Sequence, residues 1–103
     1  MMGAMDGFTV VLSPDPNVGG YSVSVPAMPG AITEGDTREE ALAAAAEVMA
    51  AWLELAREHG DGPLAETPAL VAAEVAFVLG YREEEGWDRS IETTVVRPAV
   101  LAG

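Results

Sequence analysis

Apolar and polar residues alternate along Phe8–Ser13, with Phe8, Val10 and Leu12 on one side and Thr9, Val11 and Ser13 on the other. Tyr21–Val25 repeats the pattern, setting Tyr21, Val23 and Val25 against Ser22 and Ser24. A period of two is the signature of a strand with one buried face. The run between them, Pro14-Asp15-Pro16-Asn17-Val18-Gly19-Gly20, is dense in turn formers, so the two strands read as a hairpin. Pro26-Ala27-Met28-Pro29-Gly30 interrupts regular pairing, because proline donates no ladder hydrogen bond. Ala31–Glu34 has room for one more short strand, and Gly35 is expected to free the backbone for a turn.

The period then lengthens. Thr37 and Glu40 fit a capping box, in which the hydroxyl and the carboxylate each take an orphan amide of the first helical turn. Leu42, Ala45, Met49, Trp52, Leu53 and Ala56 follow at steps of three and four, which draws one stripe on a helix. That helix is expected to stop at His59-Gly60. After a loop over Asp61–Glu66, Thr67-Pro68 offers an N-cap with proline at the first helical position. Leu70, Val71, Val75, Phe77, Val78 and Tyr81 suggest a second amphipathic helix to about Glu85, although Val75–Leu79 also fits a buried strand. Gly80 costs a helix about 1 kcal/mol. Glu83, Glu84 and Glu85 oppose the dipole at its end, which is expected to fray. Ile91–Arg97 is rich in β-branched residues and reads as a last strand, ended by Pro98. The order is β-β-(β)-α-α-β. It predicts an α+β fold in which a small antiparallel sheet carries the long first helix on one face.

Composition narrows the function classes. The chain has 103 residues, half of them apolar, which fits one domain with its own core. Five arginines stand against seventeen acids, for a net charge of −12. Nucleic-acid binders displace counterions with clustered cations, and the arginines here are scattered. The same balance disfavours an anionic membrane and favours a basic partner protein. There is no cysteine, hence no disulfide, thiolate metal site or thiol nucleophile. The first residues carry an acid where a signal peptide is basic, and no apolar run is longer than the six residues of Ala41–Ala46, so a soluble cytoplasmic protein is expected.

No catalytic group is assembled by the pattern. His59 is the one imidazole and sits where a helix end favours a cation. Ser13, Ser22 and Ser24 lack a nucleophile elbow and are read as solvated strand residues. Asp15, Asn17 and Gly20 hint at a calcium loop, but Pro26 occupies the later ligand position. We therefore expect no catalytic residue, no metal and no cofactor. Trp52 lies on the helical stripe and reads as core. Trp87, in a polar turn after Glu83–Glu85, is either an interface anchor or a ring folded back on its own helix.

Several of these features occur together in one family. Phe8-Thr9-Val10-Val11-Leu12, then Gly19-Gly20-Tyr21-Ser22-Val23-Ser24-Val25-Pro26, then Pro29-Gly30, then Gly35-Asp36-Thr37-Arg38-Glu39-Glu40-Ala41-Leu42, with Trp52-Leu53 late in the helix, resemble the HicB-type antitoxin family. The resemblance covers about residues 8–60. It implies a fold like a partial ribonuclease-H domain, without that enzyme's active site. It also implies homo-oligomers and a role in neutralising a small basic RNA-cleaving toxin of the HicA type. The shared residues Pro26, Pro29, Gly30, Gly35, Asp36, Thr37 and Glu40 are architectural: strand stops, turns and a helix cap. The family often carries a helix-turn-helix or ribbon-helix-helix segment for operator binding. Residues 61–103 resemble neither, and they complete a single domain over 1–103. The expected function is a protein-binding antitoxin that covers its toxin sterically, with Glu83, Glu84, Glu85 and Trp87 as the expected contact segment. An orphan oligomeric module with another partner, or a small metal-dependent hydrolase working through surface carboxylates, are the alternatives.

Overall fold

A computed structural model describes residues 7–99. Strands β1 (Phe8–Pro14), β2 (Tyr21–Ser24) and β3 (Ile32–Gly35) are followed by helices α1 (Arg38–Glu58) and α2 (Pro68–Glu84) and by strand β4 (Glu92–Val96). The strands form one antiparallel sheet in the order β3-β2-β1-β4. The α+β expectation and its order therefore hold, with the third strand present and Val75–Leu79 helical rather than extended.

The alternation along β1 and β2 does what a period of two requires. Phe8, Val10, Leu12, Val23 and Val25 turn to one face and pack with Ala41, Ala45 and Met49 of α1. The centre of the α1 stripe is alanine: Ala41 and Ala45 are fully buried, whereas Leu42, Trp52 and Leu53 pack half-buried at its margins. Small residues at the contact let the helix lie close to the sheet. The approach is tightest at Gly35, where a β-carbon would come within 2.4 Å of the Ala41 amide nitrogen. Gly35 is thus a strand residue selected by close contact, where the sequence pointed to a turn.

The link between β2 and β3 is a plug. Ala27 and Met28 are fully buried in it, and turns closed by Met28 N–H to the Val25 carbonyl and Ala31 N–H to the Met28 carbonyl hold it. The Trp52 indole N–H donates to the Pro29 carbonyl at 3.0 Å, pinning the plug to α1. Trp52 therefore acts as a peg at the edge of the core rather than as its centre.

Both helices start and stop as their ends dictate. Thr37 Oγ1 accepts from the Glu40 amide while Glu40 Oε1 accepts from the Asp36 amide, a capping box whose carboxylate reaches one residue before the N-cap. Thr67 caps α2 by accepting from the Leu70 amide. Gly60 and Gly86, at φ 75° and 77°, close the two C-termini by one pattern. Asp61 N–H reaches the Ala56 carbonyl and Trp87 N–H the Arg82 carbonyl, both at 2.8 Å. The end expected to fray is closed by this motif, whose hydrogen bonds satisfy the last carbonyls regardless of the three acids.

The last strand is held from outside the sheet as well. Arg38, in the first turn of α1, makes a two-pronged ion pair with Glu92 at the start of β4. The hydrogen bond and charge of Glu92 raise the Arg38 pKa, and those of Arg38 lower the Glu92 pKa.

Candidate functional site

The other face of the sheet leads to the site. Paired residues share a face, so Thr93, Val11, Ser24 and Ile32 form one row across it, and Ser13, Ser22 and Glu34 the next. Helix α2 lies against β1 on this side. Its cover fades across the row: Val11 is 1% exposed and Ile32 is 66% exposed. The result is a groove of about 780 Å³ with α2 as one wall and β2 and β3 as its floor.

A buried arginine fixes that wall. Arg82, 1% exposed, sends Nη1 to Ser13 Oγ at 2.8 Å and to the Pro14 carbonyl, Nε to the Asp88 carbonyl at 2.7 Å and Nη2 to Asp88 Oδ1 at 3.0 Å. The end of α2 is thereby locked to the end of β1. Ser13, expected to be solvated, is buried as an acceptor of this guanidinium. Asp88 is held below the usual carboxylate range, first by the Ser90 amide and hydroxyl and then by Arg82. Trp87 folds back over the cluster, its ring 5.3 Å from the guanidinium carbon and edge-on to Tyr81 at 5.7 Å. The folded-back reading of Trp87 is the one seen, and the ring also lines the end of the groove.

The lining has a definite chemistry. Seven large apolar residues are strongly exposed among those described, and four of them, Val18, Ile32, Phe77 and Tyr81, line this groove; Leu55, Leu64 and Val95 lie elsewhere. Five carboxylates line it too, from Asp15, Glu34, Asp36, Glu40 and Glu74, and no arginine does. Asp15 is engaged in its own turn, accepting from the Asn17 and Val18 amides, and Glu40 in the helix cap. Glu34 stands on the floor strand β3 and Glu74 on the α2 wall. The Ser24 hydroxyl, buried in the floor, has no hydrogen-bond partner among the described residues.

The residues singled out from sequence divide in two. Pro26, Pro29, Gly30, Gly35, Thr37 and Glu40 build the plug, the close β3–α1 contact and the cap, Asp36 joins the cap through its amide, and Gly35, Asp36 and Glu40 also line the groove. Glu83, Glu84 and Glu85 are exposed at the far end of α2 and do not line the groove; of that segment Trp87 alone does. Phe77 and Tyr81, which the spacing places among the apolar positions of the second helix, stand exposed. The signal was available: α2 is apolar nearly all round, with one acid between Pro68 and Tyr81, and a single sheet face covers only part of such a helix. The buried Arg82 gave no comparable signal, because its four acceptors, two side-chain oxygens and two backbone carbonyls, come from the distant end of β1 and from the irregular turn after α2.

Ordinary catalytic parts are not gathered here. His59 Nδ1 lies 2.9 Å from the Leu55 carbonyl at the exposed end of α1. Among the described residues, no three His, Cys, Asp or Glu are placed to hold a metal ion. No described helix is long and apolar enough to cross a membrane. The exposed apolar side chains of the groove are the candidate for contact with another surface.

Comparison with known proteins bears on which one. The chain is similar to a UPF0150 protein of Thermoplasma acidophilum, 39% identical over 54 residues that span 52% of this chain and 77% of that protein. The family model described as a HicB-like antitoxin of bacterial toxin–antitoxin systems matches residues 8–78, from the first residue of β1 to the groove-lining Val78. The match takes in the hairpin, the plug, the capped α1 and most of α2, the elements that build the groove, and the chain belongs to the HicB-like antitoxin family.

Proposed function

We propose that this chain is the antitoxin of a toxin–antitoxin pair, and that it neutralises a small basic RNA-cleaving toxin of the HicA type by binding over its active site. The observation that carries this reading is an apolar, acid-lined groove in a member of an antitoxin family. A protein of net charge −12 attracts a basic partner at long range and repels RNA, so it covers the toxin without competing for the toxin's substrate. Inhibition by cover needs no chemistry from the antitoxin, which accordingly acts as a binding protein and not as an enzyme. It works in the cytoplasm, where RNA is, and as a homo-oligomer.

The test is to purify the chain with the product of an adjacent small basic reading frame and to follow RNA cleavage. The expected result is a stable complex in gel filtration and loss of cleavage at molar excess. A cleavage rate undiminished by excess protein, with no complex, contradicts the antitoxin reading and leaves an oligomeric module with another partner.

A further inference from the structure

We propose that the groove between α2 and the outer face of β2 and β3 is the docking seat, and that its occupant is a cationic amphipathic segment of the partner protein. This rests on the antitoxin reading for the partner's identity, but the chemistry of the segment follows from the groove alone. Ile32 and Phe77, 66% and 73% exposed, offer apolar contacts on the floor and the wall. Glu34 on the floor and Glu74 on the wall flank them, and neither has a partner among the described residues. A segment with apolar side chains on one face and Lys or Arg on its flanks satisfies both sets at once. An arginine there also stacks on the aromatic rings of Phe77 and Tyr81.

Other occupants fit less well. A small molecule is bound by burying most of its surface, whereas the strongly exposed Ile32 and Phe77 mark an open floor and wall. A second copy of this chain brings five more carboxylates to a face that already has five. Nucleic acid brings phosphates to the same acids. The Glu83–Glu85 run, past the end of the groove, has acids without adjoining apolar contacts and contributes attraction rather than the seat.

Two measurements separate the seat from the function. In the first, ¹⁵N-labelled full-length protein is titrated with a synthetic helical Leu/Lys peptide and, separately, with an oligo-lysine peptide of equal charge. The Leu/Lys peptide is expected to shift amides of Ile32–Gly35 and of 74–81, and oligo-lysine to bind more weakly and diffusely. Shifts that are alike for both peptides, or centred on the acids of α1, overturn the proposal. In the second, Phe77→Ala, Ile32→Ala and the pair Glu34→Gln/Glu74→Gln are compared with Glu83→Gln/Glu84→Gln/Glu85→Gln for affinity to the adjacent basic gene product. Each groove variant is expected to weaken binding about tenfold or more, as hot-spot truncations do, and the Glu83–Glu85 variant by less. All four positions are at the surface or rim, and matching circular dichroism and melting curves establish that the variants fold. Unchanged affinity in folded groove variants overturns the seat while leaving the antitoxin reading intact. Absence of any complex with that gene product, combined with peptide shifts in the groove, upholds the seat and overturns the antitoxin reading.

Discussion

Arg82 shows how one residue shapes the face that the protein presents. It is the only charged side chain among the described residues that is fully buried, and it converts the loose ends of β1 and α2 into one rigid corner. Removing it leaves the buried Ser13 hydroxyl and two partly buried backbone carbonyls without their donor. Arg82→Met is therefore expected to cost about 2–3 kcal/mol in denaturant melts, the cost of orphaned buried acceptors. Arg82→Lys is expected to recover little of it, since one ammonium does not reproduce a planar fork. Thr37→Ala is a milder case. It loses one half of the capping box, and a drop of about 1 kcal/mol is expected in the same melts. Trp52→Ala removes a half-buried ring and its hydrogen bond to Pro29, and about 2–4 kcal/mol is expected, with Trp52→Phe losing only the hydrogen-bonded part. An alanine variant as stable as the parent contradicts the peg.

The elements are joined by ion pairs whose pH dependence has a definite sign. Glu92 is lowered from its ordinary value by Arg38, so its pairing stabilises the fold above the ordinary carboxylate range. That contribution fades as pH falls through the still lower folded-state value and protonates Glu92. Hence Glu92→Gln is expected to be less stable than the parent at pH 7, by less than about 1 kcal/mol because both partners are partly exposed. The two are expected to converge in melts once the pH is well below the ordinary carboxylate range and Glu92 is protonated. A gap that persists at low pH contradicts an electrostatic origin. At this same scale the strands, caps and helix spans are legible in the sequence, because each rests on local chemistry: alternation in β1 and β2, Thr37 with Glu40, glycine after each helix. The third strand is marked only by Ala31–Glu34 between a proline-rich plug and a glycine, too short to reveal a period. The site is less legible. Glu34, Phe77 and Glu74 meet only because α2 crosses to the far face of the sheet, and neither spacing nor propensity encodes that crossing. The face of α2 was readable as apolar all round, but the amount of it that β1 covers is a tertiary quantity.

The whole molecule combines a compact α1-backed sheet with a second face left half-dressed. A chain that is half apolar, with short strands ending in open edges at β3 and β4, is expected to self-associate away from its acidic groove. Light scattering at micromolar concentration is expected to give a mass of at least a dimer, and a monomer mass contradicts it. Its charge makes encounter with a basic partner fast and salt-sensitive, since exposed charges are screened beyond about 8 Å at physiological ionic strength. The association rate is expected to fall as salt rises, while the dissociation rate, set by apolar contacts such as Phe77, changes little. The central claim is inhibition by cover, and it is tested most directly by titrating RNA cleavage by the purified basic gene product with this protein. The account predicts a linear fall to no activity at a fixed stoichiometry of antitoxin to toxin, lost in parallel with binding for Phe77→Ala. Cleavage that continues at saturating antitoxin, or that is abolished by a small substoichiometric amount, contradicts it.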